Sequence, residues 1–256
     1  MANGKSRFPF PFGWYSWELG GYRPAPSMYW IFEYDLLPPL PPPDPTFRFL
    51  APDADTLAPD PAFDASRDWL HQHLLTLTES AARHGIALPK DFTRFIRSLE
   101  LQARIRADCW GFMLSNQLVP CPCFDGGYLV AFLREQQDCA IWCLCLAEDG
   151  ESCVVEFPSE ALDALPEAQS DALLGYLEPD EIADIEDLVM DSDERAALLV
   201  AAADIHIGAI SFPEFIYRFW IEDEIGLKLI GLDKTPLTDA ERRYVEHYAR
   251  QRPADG

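Results

Sequence analysis

The stretch Cys139-Ala140-Ile141-Trp142-Cys143-Leu144-Cys145-Leu146 decides the fold. In an extended chain, successive side chains point to opposite faces. Ile141, Cys143 and Cys145 then share one face, and Trp142, Leu144 and Leu146 share the other. Both faces are apolar, so the segment predicts a central strand with packing above and below it. Glu148-Asp149-Gly150-Glu151 follows with hairpin-turn composition, and Ser152–Phe157 supplies the returning strand. Cys109–Leu114 and Tyr128–Leu133 have the same strand character upstream, which gives a meandering antiparallel sheet.

Outward from the sheet the period changes from two to 3.6. Leu70, Leu74, Leu77 and Ala81 recur on one helical face, with Gly85 as the stop. Leu88-Pro89 opens a second helix with Phe92, Phe95, Ile96 and Leu99 as its buried stripe. Residues 159–203 read as helical. Ser211-Phe212-Pro213-Glu214 and Thr238-Asp239-Ala240-Glu241 are capping boxes. The first starts a helix with Phe212, Phe215, Ile216 and Phe219 on one face, and the second a helix with Tyr244, Val245 and Tyr248 inward. The class is α+β: an antiparallel sheet of four or more strands flanked by helices.

The front of the chain differs in composition. Residues 1–37 are rich in aromatics, and Met28, Trp30, Phe32 and Tyr34 alternate with other residues as in a strand with one apolar face. Such rings are mostly buried, so this extension is expected to pack on the main domain; the other use is an exposed platform for a sugar or peptide. Residues 38–61 hold nine prolines in 24 positions and read as a semi-rigid linker, with a ligand for a proline-recognising domain as the alternative. The division is an extension at 1–37, a linker at 38–61, a domain at 62–232 with an acidic helical insertion at about 159–203, and a final helix and tail at 233–256.

Forty-three acidic against 20 basic side chains give a formal charge of −23. That charge repels nucleic acid and anionic membrane and favours a basic protein as partner. No apolar run reaches the roughly 18 residues of a membrane span. No apolar stretch follows Lys5 and Arg7 as in a secretory signal, so a cytoplasmic location is expected, with the seven cysteines as thiols.

Catalytic and cofactor signatures are missing. There is no GxSxG, GxGxxG, GxxxxGK[ST] or HExxH, and Asp191-x-Asp193 lacks the rest of a calcium loop. Cys121, Cys123, Cys143 and Cys145 are weak metal candidates, because their spacings differ from the two-residue gap of a zinc knuckle. Small apolar core residues describe them better. Glu222-Asp223-Glu224 and the acids of 178–194 could serve as acid and base by composition alone. The expectation is a protein without catalytic residues or cofactor; an enzyme would need a pocket of paired polar groups that the sequence does not announce.

Charge distribution remains. Residues 148–224 carry 22 acids and two bases, Arg195 and Arg218, whereas Arg83, Lys90, Arg94, Arg97, Arg104 and Arg106 cluster before them. The densest acidic run is Glu178, Asp180, Glu181, Asp184, Glu186, Asp187, Asp191, Asp193 and Glu194. These nine are the candidate partner-binding residues, able to steer a basic partner electrostatically.

Three segments resemble the SUKH superfamily over about residues 68–230. Leu88-Pro89-Lys90-Asp91-Phe92-Thr93-Arg94-Phe95 resembles its opening motif. Cys139–Leu146 with Gly150 and Val154-Val155 resembles its central hairpin, and Ser211–Glu224 its closing helix. The resemblance implies an α+β domain related to yeast cell-wall-synthesis regulators and to bacterial immunity proteins that neutralise polymorphic toxins, many of them nucleases. It brings no catalytic residues. The expected function is therefore a toxin-neutralising binding protein. The alternative is a regulatory or scaffold protein that recruits partners through its proline-rich and aromatic front, as in the yeast relatives. The long front and the acidic insertion depart from small members of the family.

Overall fold

A computed structural model describes residues 7–15, 19–23, 30–50, 68–106, 110–137, 139–177 and 202–251. Its strands are β1 (Trp14–Tyr15), β2 (Ile31–Phe32), β3 (Trp110–Phe112), β4 (Val119–Pro120), β5 (Gly127–Glu135), β6 (Ala140–Ala147), β7 (Ser152–Pro158) and β8 (His206–Ala209). The last six form one antiparallel sheet in the order β3-β5-β6-β7-β8, with β4 also on β5. The α+β class with a helix-flanked antiparallel sheet is thus observed.

β6 is buried at every position and its two faces lie in two different cores, as its two-sided apolar pattern requires. Trp142, Leu144 and Leu146 pack with Phe92, Phe95, Phe132, Phe212 and Phe215. Ile141, Cys143 and Cys145 pack with Phe157, Leu173 and Ile207. The first core is covered by α1 (Asp68–Arg83), α2 (Lys90–Arg97), α3 (Leu99–Ala103) and α6 (Phe212–Leu229), the second by α4 (Ser159–Asp163) and α5 (Glu167–Leu174). The final helix, α7 (Asp239–Gln251), joins α6 through Ile221, Ile225, Tyr244, Val245 and Tyr248.

Local chemistry explains where elements start and stop. The helix opened by Pro89 breaks at Ser98, before Leu99, because the Ser98 hydroxyl accepts the Leu101 N–H and starts a new short helix. At α7 the capping box is reciprocal: Thr238 accepts the Glu241 N–H, and Glu241 accepts the Thr238 N–H. At α6 it is half formed. Ser211 accepts the Glu214 N–H, but the Glu214 carboxylate accepts the Tyr34 hydroxyl at 2.5 Å instead.

The aromatic front is built into the domain. Ile207 N–H donates to the Pro11 carbonyl and Gly13 N–H to the Ile207 carbonyl, so residues 11–13 run along the outer edge of β8. Trp14 lies 5.3 Å from Trp142 and 5.7 Å from Phe215. Of the strand expected over Met28–Tyr34, residues 28–29 lie outside the described residues and the pairing is confined to Ile31–Phe32, while Tyr34–Leu36 turns as a 3-10 helix that sends Leu37 into the core. The described part of the proline-rich stretch lies against the domain: Phe47, fully buried, packs on Phe95 and Phe212, and Leu50 is buried with it.

A buried ion pair ties this front to the closing helices. Arg23 grips Glu222 with two hydrogen bonds of 2.7 and 2.8 Å. Glu222 also accepts from Trp14 Nε1 and the Tyr244 hydroxyl. Arg23 is held between the Phe32 and Tyr248 rings, and Arg218 lies over Trp14 and Tyr34. Partners in the low-dielectric interior hold Arg23 charged and compensate its desolvation.

Candidate functional site

The nine acids expected to bind a partner, Glu178 to Glu194, lie outside the described residues. The four cysteines do come together in part. Cys121 and Cys145 share a thiol hydrogen bond, as do Cys145 and its cross-strand neighbour Cys153, while Cys143 is buried beside them and Cys123 is half-buried at the edge. Hydrogen bonding to Cys145 and burial raise the Cys121 thiol, and burial raises Cys143, which keeps them neutral rather than thiolate. Among the described residues no group of three or more His, Cys, Asp or Glu side chains is arranged to hold a metal ion. Glu222 and Glu224, acid–base candidates by composition, are engaged in structural pairs. Glu222 holds Arg23, and Glu224 holds Arg106, which also reaches Asp233.

The structure brings a different set of carboxyls together. A cleft of about 340 Å³ is lined by Tyr15, Ile31, Cys139, Glu156, Pro158, Ser159, Glu160 and Asp204. β7 supplies Glu156 next to its C-terminal end, α4 supplies Glu160 in its first turn, and the 3-10 turn Ala202–Asp204 leading into β8 supplies Asp204. β1 and β2 roof the cleft with Tyr15 and Ile31. Every formally charged side chain of the lining is an acid.

Glu156 is the unusual member. In β7 it follows Cys153, Val154 and Val155 and precedes Phe157, so an acid occupies a strand position that burial demands be apolar. It pairs across the ladder with Trp142 on one side and His206 on the other. It is 2% exposed, and no hydrogen bond or ion pair from the described residues reaches its side chain. Burial, and then the nearby charges of Asp204 and Glu160, push its carboxyl up to about 8. Its neighbours are less constrained. Glu160 is exposed and accepts the Ser159 hydroxyl at 3.2 Å, and the Asp204 side chain is exposed with its backbone carbonyl against His206 Nδ1.

The arrangement can do two things. It can hold a cation, since a positive group would meet three carboxyls and no like charge. It can also hold a proton at Glu156 near neutral pH beside charged carboxylates, which is the division of roles that acid–base chemistry uses. The Ser159 hydroxyl donates to Glu160 and the Cys139 thiol to the Gln137 carbonyl. The signal that could have found the site was the lone acid in an apolar strand; Asp204 and Glu160 carry none, because only the fold brings them to it.

A second concavity, of about 420 Å³, lies between Pro38–Pro41 and the α6–α7 pair, with Tyr217, Ile221 and Tyr244 among its walls. Arg243, His247 and Arg250, spaced on one face of α7, make its rim basic. Among the described residues no helix is long and apolar enough to cross a membrane. The chain matches no protein-family model, no curated protein and no solved structure.

Proposed function

We propose that the chain is a non-catalytic binding protein that neutralises a basic protein partner by direct contact, acting in the cytoplasm as an immunity protein of the SUKH kind. The observation that carries the proposal is the cleft of Glu156, Glu160 and Asp204, a polar recess whose charged groups are all negative. It suits a cationic group, and the formal charge of −23 adds long-range attraction for a basic domain such as a nuclease toxin. The succession of helix pair, meandering sheet and aromatic closing helix supports the SUKH likeness on which the toxin assignment rests.

The test is co-expression with candidate basic toxin domains, the first of them any encoded beside the gene. Restored growth, a stable complex on size exclusion, and association that slows steeply with salt are expected. Absence of a complex at low salt, or an association rate indifferent to salt, rejects the proposal.

The basic groove walled by Pro38–Pro41 favours a second role, in which the protein is a scaffold recruiting other chains. Deleting residues 1–61 does not separate the two roles, because Trp14 and Phe47 are core residues. Arg243→Glu with Arg250→Glu does: a scaffold loses its partners, and an immunity protein still neutralises its toxin.

A further inference from the structure

Resting on that binding role, we propose that the cleft is a socket for one arginine or lysine side chain projecting from the partner protein, gripped by Glu156, Glu160 and Asp204.

The argument starts from what buried acids do elsewhere in this molecule. Four carboxylic side chains are buried among the described residues: Glu135, Glu156, Glu222 and Glu241. Glu135 accepts the Gln137 N–H at 2.6 Å. Glu222 is satisfied by Arg23, Trp14 and Tyr244. Glu241 takes both Lys228 Nζ and the Thr238 N–H. Glu156 alone of the four has no donor among the described residues. A buried carboxyl without a protein donor is costly to keep, and the other three buried carboxyls are not built that way. What sets Glu156 apart is that it lines an opening. Its carboxyl opens on the cleft, where a donor can reach it from outside.

The lining says what kind of donor. An anion would face three carboxyls. A bare metal ion is also poorly served, since the acids are not gathered into a metal-holding group. A long side chain with a terminal cation fits. Ile31 and Pro158 give apolar wall for its alkyl stem, and Ser159 and Tyr15 add polar groups near the mouth. Guanidinium and ammonium are multidentate donors, able to meet several oxygens that are spread around a recess.

Insertion also moves a proton. Without a bound cation Glu156 holds its proton near neutrality, because burial and the charges of Asp204 and Glu160 disfavour a third anion. His206 across the ladder on β8, Tyr15 from β1 and Cys139 just before β6 are the other titratable groups around it. An entering cation reverses that balance. The Glu156 O–H bond breaks, the proton leaves to solvent, and the carboxylate that remains pairs with the cation. No redox partner is involved.

Isothermal titration calorimetry of the full chain at pH 7 tests this with three probes: a blocked Gly-Ser-Arg-Ser-Gly peptide, the same peptide with neutral citrulline for arginine, and free agmatine. The arginine peptide should bind at least about tenfold more tightly than the citrulline peptide, the worth of one charge-assisted hydrogen bond. Titration in two buffers of different ionisation heat should show close to one proton released. Glu160→Gln with Asp204→Asn, both at exposed positions that leave the core untouched, should cut affinity for the arginine peptide by at least about the same factor. Glu156→Gln should abolish the proton release. Equal binding of the two peptides, no released proton, or unchanged affinity in the double variant overturns the socket. Agmatine binding more tightly than the peptide overturns the assignment to a protein side chain. If the double variant still neutralises the toxin fully, the socket is not the anchor and the immunity role stands. If the arginine peptide binds and the unmodified chain neutralises nothing, the immunity role fails and the socket stands.

Discussion

Replacing Glu156 by Gln should make the protein more stable, and by an amount that grows with pH. The Glu156 carboxyl has an ordinary value of 4.5 in an unfolded chain and is pushed up to about 8 in the fold. Between those limits the folded state keeps a proton that the unfolded state has released. Because the native state then binds more protons, its stability falls as pH rises through that window, by at most about 1.4 kcal/mol per pH unit. Below the unfolded value the two states are equally protonated and nothing is lost. Above pH 8 the loss is complete, on the order of 3 to 5 kcal/mol. Glutamine has nearly the same shape and cannot ionise, so it carries no such slope, and all other titrating groups cancel in the comparison. Urea unfolding followed by tryptophan fluorescence, for both proteins at fixed ionic strength from pH 4.5 to 8.5, gives the difference directly. The two should be within about 1 kcal/mol at the acid end and several kcal/mol apart at the alkaline end, with Gln the more stable. A difference that does not change with pH, or a glutamine variant less stable at pH 8, refutes the reasoning. A residue that lowers stability at neutral pH yet occupies a core strand is what a functional carboxyl looks like.

Three further substitutions probe the frame that holds the cleft. Glu222→Gln strips the Arg23 guanidinium of its counter-charge inside the protein and should cost about 3–5 kcal/mol in chemical unfolding. Gly208→Ala places a methyl group 2.4 Å from the Trp142 ring, so the tryptophan must shift, and a loss of roughly 1–3 kcal/mol with altered near-ultraviolet circular dichroism is expected. Phe47→Ala should cost about 3–5 kcal/mol in thermal or urea unfolding, a loss that a residue in a detached linker would not produce.

The fold was legible where periodicity reports burial directly. The alternation in Cys139–Leu146 demanded cover on both faces, and the stripes of Leu70–Ala81 and Phe212–Phe219 supplied helices to give it on one of them. What escaped was decided by long-range pairing. β8 is four residues containing a glycine, too short to show a period, and it forms because β7 on one side and residues 11–13 on the other exchange backbone hydrogen bonds with it. The proline-rich stretch reads as extended backbone either way, and the burial of Phe47 and Leu50 shows that its described part lies on the domain. The Ser211 capping box was diverted because Glu214 found a tyrosine 180 residues away in sequence. The cleft shows the same contrast. Glu156 stands as an acid in an apolar strand, a signal not used among the candidate residues, but Glu160 and Asp204 are ordinary surface acids until the chain folds them around it. The acidic clusters that stood out by composition either hold structural cations, as Glu222 and Glu224 do, or lie outside the described residues.

The most direct measurement is a carbon-13 NMR titration of the Glu156 side-chain carboxyl, alone and with saturating blocked arginine peptide. A midpoint near 8 in the protein alone, falling by about two pH units or more when the peptide is bound, is the result that a proton-holding cation socket requires. A midpoint near the ordinary 4.5 without ligand, or one that the peptide leaves in place, contradicts it.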